Sequence, residues 1–239
     1  MRRALRAVVD AMLTQGRQVA DPIELPPAVS STGLKALRRE GVLRDLPTSA
    51  GHAGALVEFS HPVLFDYAVA MLGLGDTSRP ESLADRLDGD PNLAIRVRPS
   101  MDYRLATVWR DDPQRRSFWQ LSLRLVSRDV GHVLAAAAAA RVAAYEMRVA
   151  DDVRSLADAC AGAGGDGFDT WDVSDARGLA FLLAAAVGRS SVTEETDLTF
   201  ASFVNEVAQR APENDDVELA LLASQLPSRG FHDRLTDVS

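Results

Sequence analysis

The sequence predicts a mainly α-helical fold: a small β-hairpin module near the front, followed by an antiparallel, solenoid-like α-helical array. Three observations carry that reading. Leu5, Val8, Val9, Met12 and Leu13 recur at helical spacing, while Arg2, Arg3, Arg6 and Asp10 take the other side. One short stretch, residues 55–60, alternates instead, with Ala55, Val57 and Phe59 against Leu56, Glu58 and Ser60. Beyond Pro80 no stretch reads as a strand, and helical starts succeed one another to the end of the chain.

The first helix is expected between Met1 and Gly16. Pro22, Pro26 and Pro27 then impose a connection, because proline lacks the amide donor and restricts the residue before it. Ser30, Ser31 and Thr32 offer capping oxygens to a second helix over residues 33–40, whose stripe is Leu34 and Leu37 and whose stop is Gly41. Residues 42–46 and 55–60 form the hairpin around a loose tip at 47–54. Ser60 is the expected cap of the next helix, with Pro62 in its first turn. Leu64, Tyr67, Ala68, Met71 and Leu72 sit at helical spacing, and Val63, Phe65 and Val69 add apolar surface around the side, so this helix should be largely buried. Gly73 and Gly75 end it, and residues 76–80 are the expected boundary between a domain over 1–75 and a helical array over 80–239.

Within that array, helices are expected to begin near Pro80, Pro91, Ser100, Pro113, Val130, Asp151, Asp172, Glu195 and Asp215. Acid pairs such as Asp111-Asp112 and Asp151-Asp152 stand where a helix dipole favours negative charge. Val153, Leu156, Ala157 and Cys160 form one stripe, and Phe200, Phe203, Val204, Val207 and Ala208 another. The alanines at 135–140 favour helix and let helices approach closely. No strict period supports a named repeat.

At 239 residues, with 46% apolar and 25% charged residues, the chain can bury its own core and lies outside disordered, collagen-like and disulfide-stapled compositions. Its single cysteine, Cys160, cannot form an internal disulfide. A membrane span needs about 20 apolar residues, and the best candidate, residues 133–140, stops at Arg141. The expectation is a soluble cytoplasmic protein without a membrane partner. A net charge of -8 disfavours a protein built to coat nucleic acid. The charge is uneven: residues 96–128 hold eight arginines against three aspartates, while residues 151–239 hold 17 acids against six arginines. The basic stretch, with Arg115 and Arg116 at its centre, is a candidate face for an acidic protein partner.

Catalytic signatures are sparse. The only lysine is Lys35, and it follows Leu34, so no Gly-Lys-Ser/Thr phosphate loop exists. Gly162, Gly164 and Gly167 match the dinucleotide glycine pattern but follow a helical stripe where that pattern needs a strand. His52, His61, His132 and His232 show no metal-ligand spacing, and one cysteine cannot build a zinc knuckle. Cys160, on an apolar stripe, reads as an inert core thiol. The chain is expected to be no enzyme, with no metal and no cofactor of its own.

The order helix, helix, hairpin is that of a winged-helix module. Lys35, Arg38, Arg39 and Arg44 would then contact phosphates if the second helix entered a DNA groove, which makes a transcriptional regulator one alternative reading. A free-standing helical adaptor is another.

A second signal lies in residues 59–70, Phe-Ser-His-Pro-Val-Leu-Phe-Asp-Tyr-Ala-Val-Ala. This stretch resembles the winged-helix segment of STAND-class signalling NTPases, the NACHT-type NOD-like receptors and their bacterial relatives. In these proteins the wing strand often ends in Phe-x-His and runs into a helix carrying Glu-Tyr/Phe-x-x-Ala; here Asp66 takes the glutamate position. Residues 37–43 resemble the helix-to-wing junction of the same class. The likeness covers roughly residues 1–75. It implies that an ATPase core precedes the winged helix and that a helical sensor region follows. It also implies that His61 contacts the β-phosphate of a bound nucleotide and holds the inactive state closed. No P-loop precedes Met1, so the core, and any ADP or ATP, would come from elsewhere, in cis or in trans.

Overall fold

The structure is a computed structural model and describes residues 1–26, 31–46, 56–76, 78–90, 92–127, 132–160 and 173–187. The described residues are mainly helical, with one small antiparallel sheet of three strands. The hairpin tip, Ser30, His52, His232, the glycine run at 162–167, the side chain of Cys160 and the stripe expected at 200–208 lie outside the described residues. The chain divides into two compact units, Met1–Arg86 with Ile95–Arg104, and Leu87–Ala94 with Leu105–Ser239. The sequence expects its boundary at residues 76–80. The first unit also takes residues that the sequence assigns to the helical array.

In the first unit, α1 (Arg2–Gln15) buries Ala4, Val8, Val9, Met12 and Leu13, the stripe its spacing predicts. β1 (Val19–Ala20) was not anticipated. Two residues carry no period, and this strand exists because Val19 and Ala20 pair with Glu58 and Val57 far along the chain. Helix α2 (Ser31–Arg39) buries Leu34 and Leu37. It closes at Gly41 (φ +70), where the amide of Val42 reaches back to the carbonyl of Leu37 at 2.9 Å. Strands β2 (Leu43–Leu46) and β3 (Leu56–Phe59) form the expected antiparallel hairpin, with Leu43 opposite Phe59 and Arg44 opposite Glu58. Strand β3 is central in the order β1-β3-β2, and its Val57 and Phe59 point into the core as the alternation requires.

Helix α3 (Pro62–Ala68) departs from expectation twice. Its N-cap is His61 rather than Ser60; the Ser60 hydroxyl instead donates to the carbonyls of Gly41 and Val42, tying the end of β3 to the start of β2. The helix is also only partly buried. Phe65 and Ala68 face the core, with Phe65 edge-on to Phe59 at 5.5 Å, whereas Val63, Leu64 and Tyr67 are exposed. An apolar residue on every side of a helix cannot be covered by a neighbour on one side only. A π-helical turn, Val69–Gly73, follows and restores burial through Val69, Ala70 and Leu72. Gly75 then turns at φ +93, where an added Cβ would meet the backbone oxygen of Ser82 at 2.8 Å.

Helix α4 (Ser82–Gly89) and the short α5 (Leu93–Arg96) lead into α6 (Arg98–Asp111), which runs from the residues of the first unit into those of the second. In the second unit, Trp109, Phe118 and Trp119 pack edge to face with centroids 4.9 to 5.5 Å apart, each almost fully buried. Around them lie α7 (Arg116–Val126), α8 (Val133–Glu146), α9 (Ala150–Cys160) and α10 (Val173–Val187). The alanine run of α8 is buried on most of its circumference, as close helix approach requires. The acids expected at helix starts are engaged there. Asp112 accepts the amides of Gln114 and Ser117, and Asp152 accepts those of Arg148 and Val149.

Candidate functional site

The residue singled out at the wing-helix junction, His61, is exposed, and its backbone is extended at φ -143. Its ring caps α3: Nδ1 accepts the amide of Val63 at 3.2 Å. In the neutral imidazole this bond puts the proton on Nε2, which leaves a single N–H donor on the far side of the ring. The local sequence explains the arrangement. Pro62 has no amide to satisfy, so the first free amide of the helix is that of Val63, within reach of the ring of the residue two before it.

The residues that follow His61 along α3 include three exposed apolar side chains. Val63, Leu64 and Tyr67 are 47%, 39% and 53% exposed, and Tyr103, 40% exposed, meets Tyr67 edge-on with centroids 6.4 Å apart. On a helix, Val63 and Tyr67 stand one turn apart on the same side. The result is a hydrogen-bond donor set against an apolar, aromatic rim, an arrangement suited to a polar ligand group at the edge of an apolar contact. Sequence reasoning missed Tyr103, which stands on α6 and comes near α3 only through tertiary packing.

Between these exposed positions, Asp66 turns inward and its Oδ1 accepts the hydroxyl of the fully buried Ser100 at 3.3 Å. Burial pushes the Asp66 carboxyl above its ordinary value, and the Ser100 hydrogen bond opposes that rise. At Asp76 the direction is reversed: the backbone amide of Ser78, and then its hydroxyl, hold the carboxyl below its ordinary value.

The basic residues expected to meet DNA phosphates occupy α2 and the hairpin, but three of them carry acids. Arg38 pairs with Asp45 at 2.8 Å, Arg39 with Glu40 at 3.0 Å, and Arg44 with Glu58, its cross-strand neighbour, at 2.5 Å. Exposed pairs of this kind contribute only about 0 to 1 kcal/mol to stability, yet they neutralise the face that the DNA reading needs. Lys35 is exposed on the same helix.

The arginine-rich stretch at 96–128 is not one face. Arg104 is fully buried in the first unit, where its Nη2 donates to the carbonyls of Asp76 (2.5 Å) and Arg79 (3.5 Å). In the second unit, Arg115 lies 4.8 Å from the centre of the Trp109 ring, pairs with Asp152 at 3.1 Å and donates to the carbonyls of Trp109 and Asp112. These contacts tie Arg115 to its own unit, where it was expected to face a partner. Arg116 is exposed.

Among the described residues no group of three or more His, Cys, Asp or Glu side chains is placed to hold a metal ion, and no helix is long and apolar enough to cross a membrane. No protein-family model, curated protein or solved structure matches the chain.

Proposed function

We propose that this chain is the non-catalytic regulatory portion of a STAND-type signalling ATPase. In this reading the module formed by α1 to α3 and the three-stranded sheet is a winged helix that closes over a nucleotide held by an ATPase core outside this chain. The following helices are the sensor that binds a protein partner. The observation that carries the reading is the exposed imidazole of His61 at the head of α3, with Nδ1 engaged by the Val63 amide and Nε2 left as a donor. Such a donor suits a phosphate oxygen, and the rim of Val63, Leu64 and Tyr67 suits an apolar contact with the domain that holds it. The sheet order β1-β3-β2, with helices before each strand of the outer pair, supports the winged-helix assignment.

The test is the nucleotide content of the complex that a tag on this chain isolates from its own cells. A P-loop ATPase should co-purify with bound ADP, and His61→Ala should lower the retained ADP by about tenfold, the loss of one charge-assisted hydrogen bond. Equal ADP content in the variant, or a complex without an ATPase, would overturn the reading.

A further inference from the structure

One face of α6 meets the stretch that follows His61 at four residues: Asp66, Tyr67, Asp76 and Arg79. Ser100, Tyr103 and Arg104 stand at i, i+3 and i+4, so they project from the same side of that helix. Ser100 donates its hydroxyl to Asp66, Tyr103 meets the ring of Tyr67, and Arg104 donates to the carbonyls of Asp76 and Arg79. These contacts grip α3 at two consecutive residues and then the turn beyond it. The turn is itself held: Gly75 fits tightly against the backbone of Ser82, and the Ser82 hydroxyl donates to the same two carbonyls that Arg104 uses.

On its core side α3 is secured by Phe65, edge-on to Phe59 with centroids 5.5 Å apart, and by Ala68. The hydrogen bond from Ser100 and the ring of Tyr103 add directional contacts from α6 to those of the core side.

We infer that Ser100, Tyr103 and Arg104 are positioning residues that set the pose of His61, and that α6 is the element through which the latch is adjusted. The inference rests on the reading of α3 as a latch and names what regulates it. Arg104 and Ser100 are both fully buried, so their loss would disturb the unit as a whole. Tyr103 is 40% exposed and gives a cleaner variant.

The test uses the full chain without nucleotide, so its failure is separate from a failure to retain ADP. Amide hydrogen exchange is followed at Val63 to Gly73, in α1 and in the sheet, together with the side-chain nitrogen resonances of His61. In Tyr103→Ala, exchange at Val63 and its neighbours should rise about tenfold and the His61 resonances should shift, with α1 and the sheet unchanged. Tyr103→Phe, which keeps the ring on Tyr67, should shift exchange and the His61 resonances less than Tyr103→Ala. Unchanged exchange and resonances in Tyr103→Ala would overturn the inference. A uniform rise across α1, the sheet and α3 would also overturn it, because that outcome marks general loosening rather than positioning.

Discussion

Arg115 and Asp152 form the central polar contact of the second unit, with Nε 3.1 Å from Oδ1 and both side chains largely covered. The arginine backbone sits at φ 58, a conformation that side chains rarely adopt, and its guanidinium lies over Trp109 while capping two carbonyls. Asp152 uses its other oxygen to accept the amides that open α9, and its own carbonyl receives Trp119 Nε1 at 3.0 Å. Each partner therefore holds a different segment to the same aromatic cluster.

Removing Arg115 would leave the Asp152 carboxylate partly buried without its cation. Arg115→Ala should destabilise the chain by about 2 to 4 kcal/mol, measured by urea denaturation. Arg116→Ala, at the exposed neighbouring position, should change stability by less than about 0.5 kcal/mol. Equal effects at the two positions would contradict the internal role of Arg115.

The Asp66 carboxyl, raised above the usual 3.8 by burial, binds its proton more tightly in the folded chain than in the unfolded one. Its contribution to stability is therefore full below the unfolded value and is lost as pH rises through the folded value. At pH 7 the ionised carboxylate costs stability, so Asp66→Asn should raise the melting temperature there, with the gain fading toward pH 4 and below. A melting-temperature series across pH for both proteins checks the sign.

Gly75 combines φ +93 with a Cβ position 2.8 Å from the Ser82 carbonyl oxygen, a backbone atom that cannot swing aside. Gly75→Ala should cost about 2 to 4 kcal/mol, read from chemical denaturation. A neutral substitution would show that the turn at 75–82 is free to reshape.

The pairing of Arg38, Arg39 and Arg44 with Asp45, Glu40 and Glu58 predicts weak attraction for DNA. Fluorescence anisotropy with a labelled duplex should show no binding near physiological salt. Asp45→Asn combined with Glu58→Gln, which frees two of the arginines, should gain salt-sensitive binding at low ionic strength. Tight native binding, lost in Arg38→Ala/Arg39→Ala, would favour the DNA-binding alternative.

Local chemistry made much of the helical fold legible. The stripe of α1, the stop at Gly41, the alternation of β3 and the starts of α7 to α10 each follow from nearest neighbours or from one period, and the structure places them within about three residues of expectation. The helix start at Pro62 was legible for the same reason, but its cap was not: local chemistry favours the Ser60 hydroxyl, which is drawn to the carbonyls of Gly41 and Val42 instead, and His61 takes its place. What the sequence determined, then, is most of the helices and the two strands of the hairpin.

Only the tertiary structure decided the rest, because each remaining feature depends on a partner distant in the chain. β1 is a strand because β3 lies beside it. Val63, Leu64 and Tyr67 are exposed because, among the described residues, only Tyr103 reaches that side of α3. Arg104 and Arg115 look alike as letters among surface arginines, yet carbonyls and a carboxylate up to 37 positions away draw both inward. A guanidinium can be buried wherever acceptors converge on it, and convergence is a property of the folded chain rather than of any window along it.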